Sequence, residues 1–259
     1  MKLISNLIIN KKENIYLDIE SNKRQRVFLI VTWGACGSNW LAKTLNGIPE
    51  IFCTHHLKGI IQKSHLHNQQ TSIDSYLNLM LGMGENYSAV GDVHGFTMDE
   101  AKKIKEKHIN TVIFSLIREP IARATSAVNL MVKYGISLWG DLNISNKKIN
   151  KTFSFQGNTE IEKAIIYQVN NCNSIKSDLE ADHVFRAEDL WSNSDSIYDL
   201  VVKIYQTDKN INIPAIKATN THTANNFQEK IKIPKKYFNE ILSDESKRIY
   251  NSLYNLDFR

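Results

Sequence analysis

Cysteine is scarce in this chain: three among 259 residues, Cys36, Cys53 and Cys172, widely spaced and without a CxxC pair. That excludes a disulfide framework and a cysteine-rich zinc site, and a reducing, cytoplasmic setting is expected. Long apolar runs are missing as well. Nothing approaches the roughly 18 residues that span a bilayer. The opening stretch MKLISNLIIN has its apolar run broken by Ser5 and Asn6 and no small-residue cleavage site, so it makes a poor secretory signal. Residues 3–9 and 15–19 are expected to pair as a surface hairpin instead. There is no internal repeat, low-complexity block or composition break, so one domain is expected over residues 1–259. A basic stripe with interleaved aromatics is also absent, which speaks against a nucleic-acid surface.

The chain is 42% hydrophobic and 23% charged, an ordinary globular balance that excludes disorder. Thirty-two Lys and Arg against 27 Asp and Glu leave a net charge of +5, which suits a protein that holds a small polyanion. Apolar β-rich runs alternate with helical stretches, the pattern of parallel strands joined by crossover helices. VFLIVT (27–32) and TVIFSLI (111–117) are continuous apolar runs suited to strands buried on both faces. IFCTH (51–55), SAVGDV (88–93) and HVFRA (183–187) are shorter strands. Helices are expected over WLAKTLN before Gly47, 72–82, 97–108 with Thr97 capping and Glu100 three residues on, Pro120 to Tyr134, 159–177, 194–206, 234–242 and 244–255. The fold class is a three-layer α/β domain with a central parallel sheet of about four to five strands flanked by helices.

Three constellations carry chemistry. Thr32-Trp33-Gly34-Ala35-Cys36-Gly37-Ser38-Asn39-Trp40 is a turn with two glycines between a buried strand and a helix. Such a turn exposes backbone N–H groups beside the positive end of a helix dipole, where an anionic phosphate or sulfate can sit. The bland alternative is that Gly37 relieves a tight turn and Ser38 caps the helix. A Walker A loop would place Lys between the glycine and the hydroxyl, and Gly37-Ser38 has none. Second, Arg118 ends the 111–117 strand, with Ser126 eight residues on in the next helix and Arg123 between as spare charge. A guanidinium at a strand's carboxyl end can grip a phosphate through paired hydrogen bonds, or serve only as a structural ion pair. Third, His94 follows the SAVGDV strand on the same rim, placed to take a proton from a hydroxyl; His55 and His56 compete on the same logic. His65-x-His67 lacks a partner at zinc-ligand spacing, and no metal is expected.

In these residues the chain resembles the sulfotransferases that use 3′-phosphoadenosine 5′-phosphosulfate (PAPS). TWGACGSNWL is similar to their 5′-phosphosulfate loop, and LIREPIARATSAVNLMVKYG to their 3′-phosphate motif, with an Arg eight residues before a Ser. His94 falls where cytosolic members carry a catalytic His, and VFRAEDL (184–190) resembles a later Tyr-Glu-Asp-Leu segment. The resemblance covers residues 27 to about 200 and implies a P-loop-like sulfotransferase fold. It further implies PAPS as donor, with Gly34, Ala35, Cys36, Gly37, Ser38, Asn39, Trp40, Arg118 and Ser126 binding it and His94 as the catalytic base. The family's loop cation falls at Ala35, so Lys43, Arg123 or Arg186 would have to substitute, and its tyrosine falls at Ala187. Trp33, Trp40, Phe96 and Trp139 are candidate walls. The expected acceptor is a hydroxyl, or secondarily an amine or guanidine, of a small molecule such as a sugar, phenol or polar secondary metabolite, seated among residues 56–71, 135–158 and 215–232. A homodimer stays open. Two rivals remain: a P-loop kinase using ATP and magnesium, and a sulfotransferase-like protein that binds PAPS or its product 3′-phosphoadenosine 5′-phosphate (PAP) without turnover.

Overall fold

A computed structural model describes residues 25–59, 72–134, 159–206 and 231–258. Five strands form one parallel sheet: β1 (Arg26–Val31), β2 (Ile51–His55), β3 (Ala89–Val93), β4 (Thr111–Ile117) and β5 (His183–Arg186), in the order β2-β3-β1-β4-β5. The expected strand count and direction hold. The central position of β1 follows from its composition. Phe28 and Ile30 pack on one face, Val27, Leu29 and Val31 on the other, and all five are buried. At about 1.5–3 kcal/mol for each large apolar side chain withdrawn from water, a strand with no polar face is stable only in the middle of a covered sheet.

Helices cover both faces. On the first lie α1 (Ser38–Asn46) and, later in the chain, α8 (Ser194–Tyr205), whose Leu41, Leu45, Leu200 and Ile204 pack on Phe28 and Phe114. On the second lie α2 (Ile73–Met83) and α3 (Met98–Lys107), through Leu77, Met80, Ala101 and Ile104. A third cluster joins α4 (Pro120–Tyr134) and α5 (Thr159–Asn170) to α9 (Lys235–Ile241) and α10 (Asp244–Tyr254) around Met131, Ile166 and Phe238. The remaining pieces are α6 (Ile175–Asp178) and α7 (Ala187–Ser192).

Local signals set the helix ends. Thr97 and Glu100 form a reciprocal capping box on α3. Glu119 accepts from the backbone N–H of Ile121 and Ala122, satisfying donors of the first turn of α4 beside Pro120. Asn46, closing α1, donates to the Cys53 carbonyl at 2.6 Å and accepts from its N–H at 2.9 Å, which ties the helix to β2. Two expectations need correction. The continuous helix over 159–177 is broken by a 3-10 turn, Asn171–Ser174, because Asn and Ser offer the backbone alternative partners. Ser174 bonds the Asn171 carbonyl, and Asn173 leaves the helix line to accept from Ser243 N–H at the start of α10. The short helix α7 was not expected at all. The hairpin over 3–9 and 15–19, the pair His65 and His67, Trp139, and the segments 60–71, 135–158 and 207–230 lie outside the described residues.

Candidate functional site

A parallel sheet delivers the carboxyl ends of all its strands to one edge, and the exits of β1, β2, β3 and β4 meet there. The β1 exit is the glycine-bearing loop. Ala35 (φ 70°) and Gly37 (φ 81°) are both left-handed. Gly37 precedes α1 and its carbonyl accepts the first helical bond, from Leu41 N–H at 2.9 Å. A Cβ at 37 would lie 2.6 Å from the Trp191 ring, so the glycine serves both a backbone conformation and a close approach. Ser38 does not cap the helix, contrary to the bland alternative. It is the first helical residue, it is buried, and its Oγ lies 3.0 Å from His55 Nε2. Cys36 is 1% exposed, and burial pushes its thiol up to about 11, so only its backbone faces the rim chemistry. Trp40 is packed against the core under α1.

Arg118 leaves the end of β4 and reaches back to this loop, where Nη1 donates to the Ala35 carbonyl at 2.6 Å. Its guanidinium stacks on Trp191, 4.9 Å from the ring centre, and its Nε makes no hydrogen bond, with Glu188 Oε1 at 4.0 Å. Glu188 and Trp191 both come from α7; Glu188 falls in the VFRAEDL segment without a role assigned to it, and Trp191 was missed, although an aromatic residue soon after a strand end was an available signal. Ser126 is half-buried in α4. Arg123 is not the spare charge expected of it. It is 3% exposed, donating to the Gln168 carbonyl and to Cys172 Sγ on the inner side of α4. Arg186 is taken up by Asp189 through two bonds of 2.7 Å. Of the three proposed substitutes for a loop cation, Lys43 alone is exposed.

The exits of β2 and β3 bring three imidazoles together. Ring centres of His56 and His94 are 4.9 Å apart, with His55 6.2 Å from His94 and 6.5 Å from His56. Register explains the grouping: His55 pairs with Val93, so the next residue on each strand is a histidine. His94 Nδ1 lies 2.6 Å from the Thr32 carbonyl, and a carbonyl only accepts, so Nδ1 carries the proton. Burial holds the His94 pKa down, which keeps the ring neutral with Nε2 as an open lone pair. His56 is fixed in the same way, donating from Nδ1 to the His94 carbonyl at 2.8 Å. Burial and then the neighbouring His94, His56 and Lys43 lower His55 to about 4.

Beneath them Asp92 is buried at 1% exposure in β3. It accepts from Thr54 Oγ1 at 2.5 Å and Leu57 N–H at 3.1 Å, and burial raises it to about 7 against those bonds. A carboxylate inside the apolar run SAVGDV was visible in the sequence as an anomaly. Among the described residues no group of three ligating side chains can hold a metal ion. A cavity of about 300 Å³ opens beside the histidines, with His56, His94, Trp33, Phe96, Lys58 and Asp178 among its walls. Asp178 is raised to about 6 by burial, opposed by Ser174, the Arg123 charge and the Trp33 indole. A second cavity, about 330 Å³ and walled by α10 and the residues after it, shares no residue with this rim.

No family model and no curated sequence matches the chain. Among solved structures, it is similar to the crystal structure of a sulfotransferase from Alicyclobacillus acidocaldarius. The TM-score is 0.50 at 16% identity, over 90% of this chain and 97% of that one. A shikimate kinase from Bacteroides thetaiotaomicron aligns with a TM-score of 0.35 and 14% identity, over 70% of this chain and 96% of that one. The first likeness shows that the chain adopts the α/β fold of a sulfotransferase. No helix among the described residues is long and apolar enough to cross a membrane.

Proposed function

We propose that the chain transfers a sulfonate group from PAPS to a hydroxyl of a small acceptor. The observation that carries this reading is the convergence, at one sheet edge, of an anion-suited loop, an arginine bound to that loop, and His94 with its Nδ1 committed to Thr32. The residues fit a donor with phosphate at both ends. The N–H groups of the loop and the Ser38 hydroxyl suit the 5′-phosphate, and the Arg118 guanidinium and Ser126 suit the 3′-phosphate. PAPS supplies a sulfur already bonded to a good leaving group. The protein supplies position and charge.

In this reading the acceptor occupies the cavity beside His94, between the apolar walls of Trp33 and Phe96 and the polar ends of Lys58 and Asp178. His94 Nε2 takes the hydroxyl proton as the acceptor oxygen bonds to sulfur. The bond from sulfur to the phosphate oxygen breaks, and its electron pair stays on PAP, where Ser38 and the loop N–H groups face the growing charge. Of the segments expected to form the acceptor site, residues 56–59 and 231–232 are described, and His56, Lys58 and Gly59 line this cavity.

The test is incubation with PAPS and pooled hydroxylated acceptors, read by mass spectrometry for a gain of one SO₃. Transfer should vanish in His94→Ala while PAP binding persists. PAP binding with no turnover on any acceptor would favour a binding protein, and ATP with magnesium binding far more tightly than PAP would favour a kinase.

A further inference from the structure

We infer that His55 supplies the positive charge the first loop lacks, becoming imidazolium when an anionic group is seated at the start of α1 and acting on that group through Ser38. This rests on the donor reading above. Between Thr32 and Trp40 no residue is basic. The nearby arginines have other roles: Arg118 holds the loop's Ala35 carbonyl and is assigned above to the 3′-phosphate, while Arg123 is bonded to Gln168 and Cys172 and Arg186 to Asp189. His55 is placed differently. Its Nε2 is 3.0 Å from the hydroxyl of the residue that begins the helix.

For Ser38 to donate its proton to a phosphate oxygen, its Oγ must accept from His55, which requires the proton on Nε2. If Nδ1 then takes a second proton from solvent, the ring becomes a cation one hydrogen bond removed from the anion, and release of the anion returns that proton to solvent. Without an anion the charged form is opposed on every side. His55 is largely buried, the rings of His94 and His56 lie 6.2 and 6.5 Å away, and Lys43 of α1 acts on it with like charge. Ser38 is the neutral group that faces it. An arriving phosphate is the missing opposite charge, and such a neighbour raises a pKa by about 1–3 units. The loop would thus be cationic with donor bound and neutral without it, and His55 is a positioning residue, not a proton carrier in the transfer.

The test is the titration of the His55 ring by NMR, with and without PAP, assigned by its absence from whichever of His55→Gln and His55→Asn folds. The ring should remain neutral down to about pH 5 in the free protein, and its pKa should rise by about 1–3 units with PAP bound. Wild type should then bind PAP up to roughly tenfold more tightly than His55→Gln at pH 6 and about equally at pH 8, a ratio in which the ligand's own titration cancels. An unchanged His55 pKa in the PAP complex, or an affinity ratio that is the same at both pH values, overturns the inference while leaving the donor reading intact. Failure of the wild type to bind PAP at all removes both.

Discussion

Gly37 and Gly34 stand three residues apart in one loop, and the structure assigns them opposite responses to the same substitution. In Gly37→Ala the new methyl meets three atoms of the Trp191 indole, Cζ2 at 2.6 Å, Nε1 at 2.8 Å and Cε2 at 3.0 Å, so the ring must move bodily. The backbone adds its own penalty, because φ is +81° and an L side chain there costs about 1–2 kcal/mol. Overpacking against a ring adds about 1–3 kcal/mol, and the stiffer unfolded chain gives back about 0.5 kcal/mol. The net loss is about 2–4 kcal/mol, or a fall in Tm of about 5–10 °C for a chain of this size. The displacement also has a functional route. Trp191 carries the Arg118 guanidinium on its face, and Arg118 holds the Ala35 carbonyl. PAP affinity should therefore fall with stability. Gly34→Ala has nothing within 4 Å of the new Cβ and no left-handed φ, so it should be neutral or slightly stabilising. Scanning calorimetry and PAP titration on the pair check this; equal stability of the two variants would refute the reasoning.

Two further outcomes follow from the buried charges. Asp92 is raised to about 7 in the folded protein from the ordinary carboxylate range, so the native state binds more protons than the unfolded chain between about pH 4 and 7. Its contribution is therefore full at the acid end and is lost as pH rises through 7, by about 4 kcal/mol in all; urea unfolding should show this slope reduced in Asp92→Asn, and an equal slope in both proteins would count against it. Arg118→Lys keeps the charge but forfeits the fork that serves Ala35 and stacks on Trp191, so it should cost about 1 kcal/mol of stability and at least roughly tenfold in PAP affinity; wild-type affinity in the lysine variant would remove Arg118 from the donor site.

The strands were legible because their burial is written locally. VFLIVT and TVIFSLI have no polar face, and a strand with no polar face belongs inside a covered sheet. The caps at Thr97 and Pro120 were legible for the same reason. The order β2-β3-β1-β4-β5 is a matter of pairing, which no window of sequence contains. The histidine group depends on that pairing, since His55 and His56 meet His94 only through the β2–β3 register. Arg123 is a different kind of miss. Ala124, Ala127, Val128 and Met131 recur at helical spacing and are all buried, and Arg123 lies on the same stripe. The period of α4 contained that answer, whereas the reach of Arg118 to the Ala35 carbonyl depended on β4 lying beside β1.

Left-handed backbone at the rim has its own pattern. Six non-glycine residues among those described have positive φ. Gln206 and Asn255 close helices α8 and α10, a common use of this conformation, and Glu50 precedes β2. The other three, Ala35, His56 and His94, all follow strands into the candidate site. His56 and His94 each extend the parallel ladder by one bond, to Val93 and Ile30, and then turn; the turn sets the two rings side by side. Their side chains make bonds that offset the strain, but Ala35 has no side-chain bond to offer, and only its carbonyl is held, by Arg118. Ala35→Gly should therefore relieve about 1–2 kcal/mol of strain against about 0.4–1 kcal/mol lost to the freer unfolded chain, for a net gain near 0.5–1 kcal/mol and a Tm about 2 °C higher. Loss of stability in Ala35→Gly would mean that the loop is not left-handed at 35, and the geometry that presents its N–H groups to an anion would fall with it.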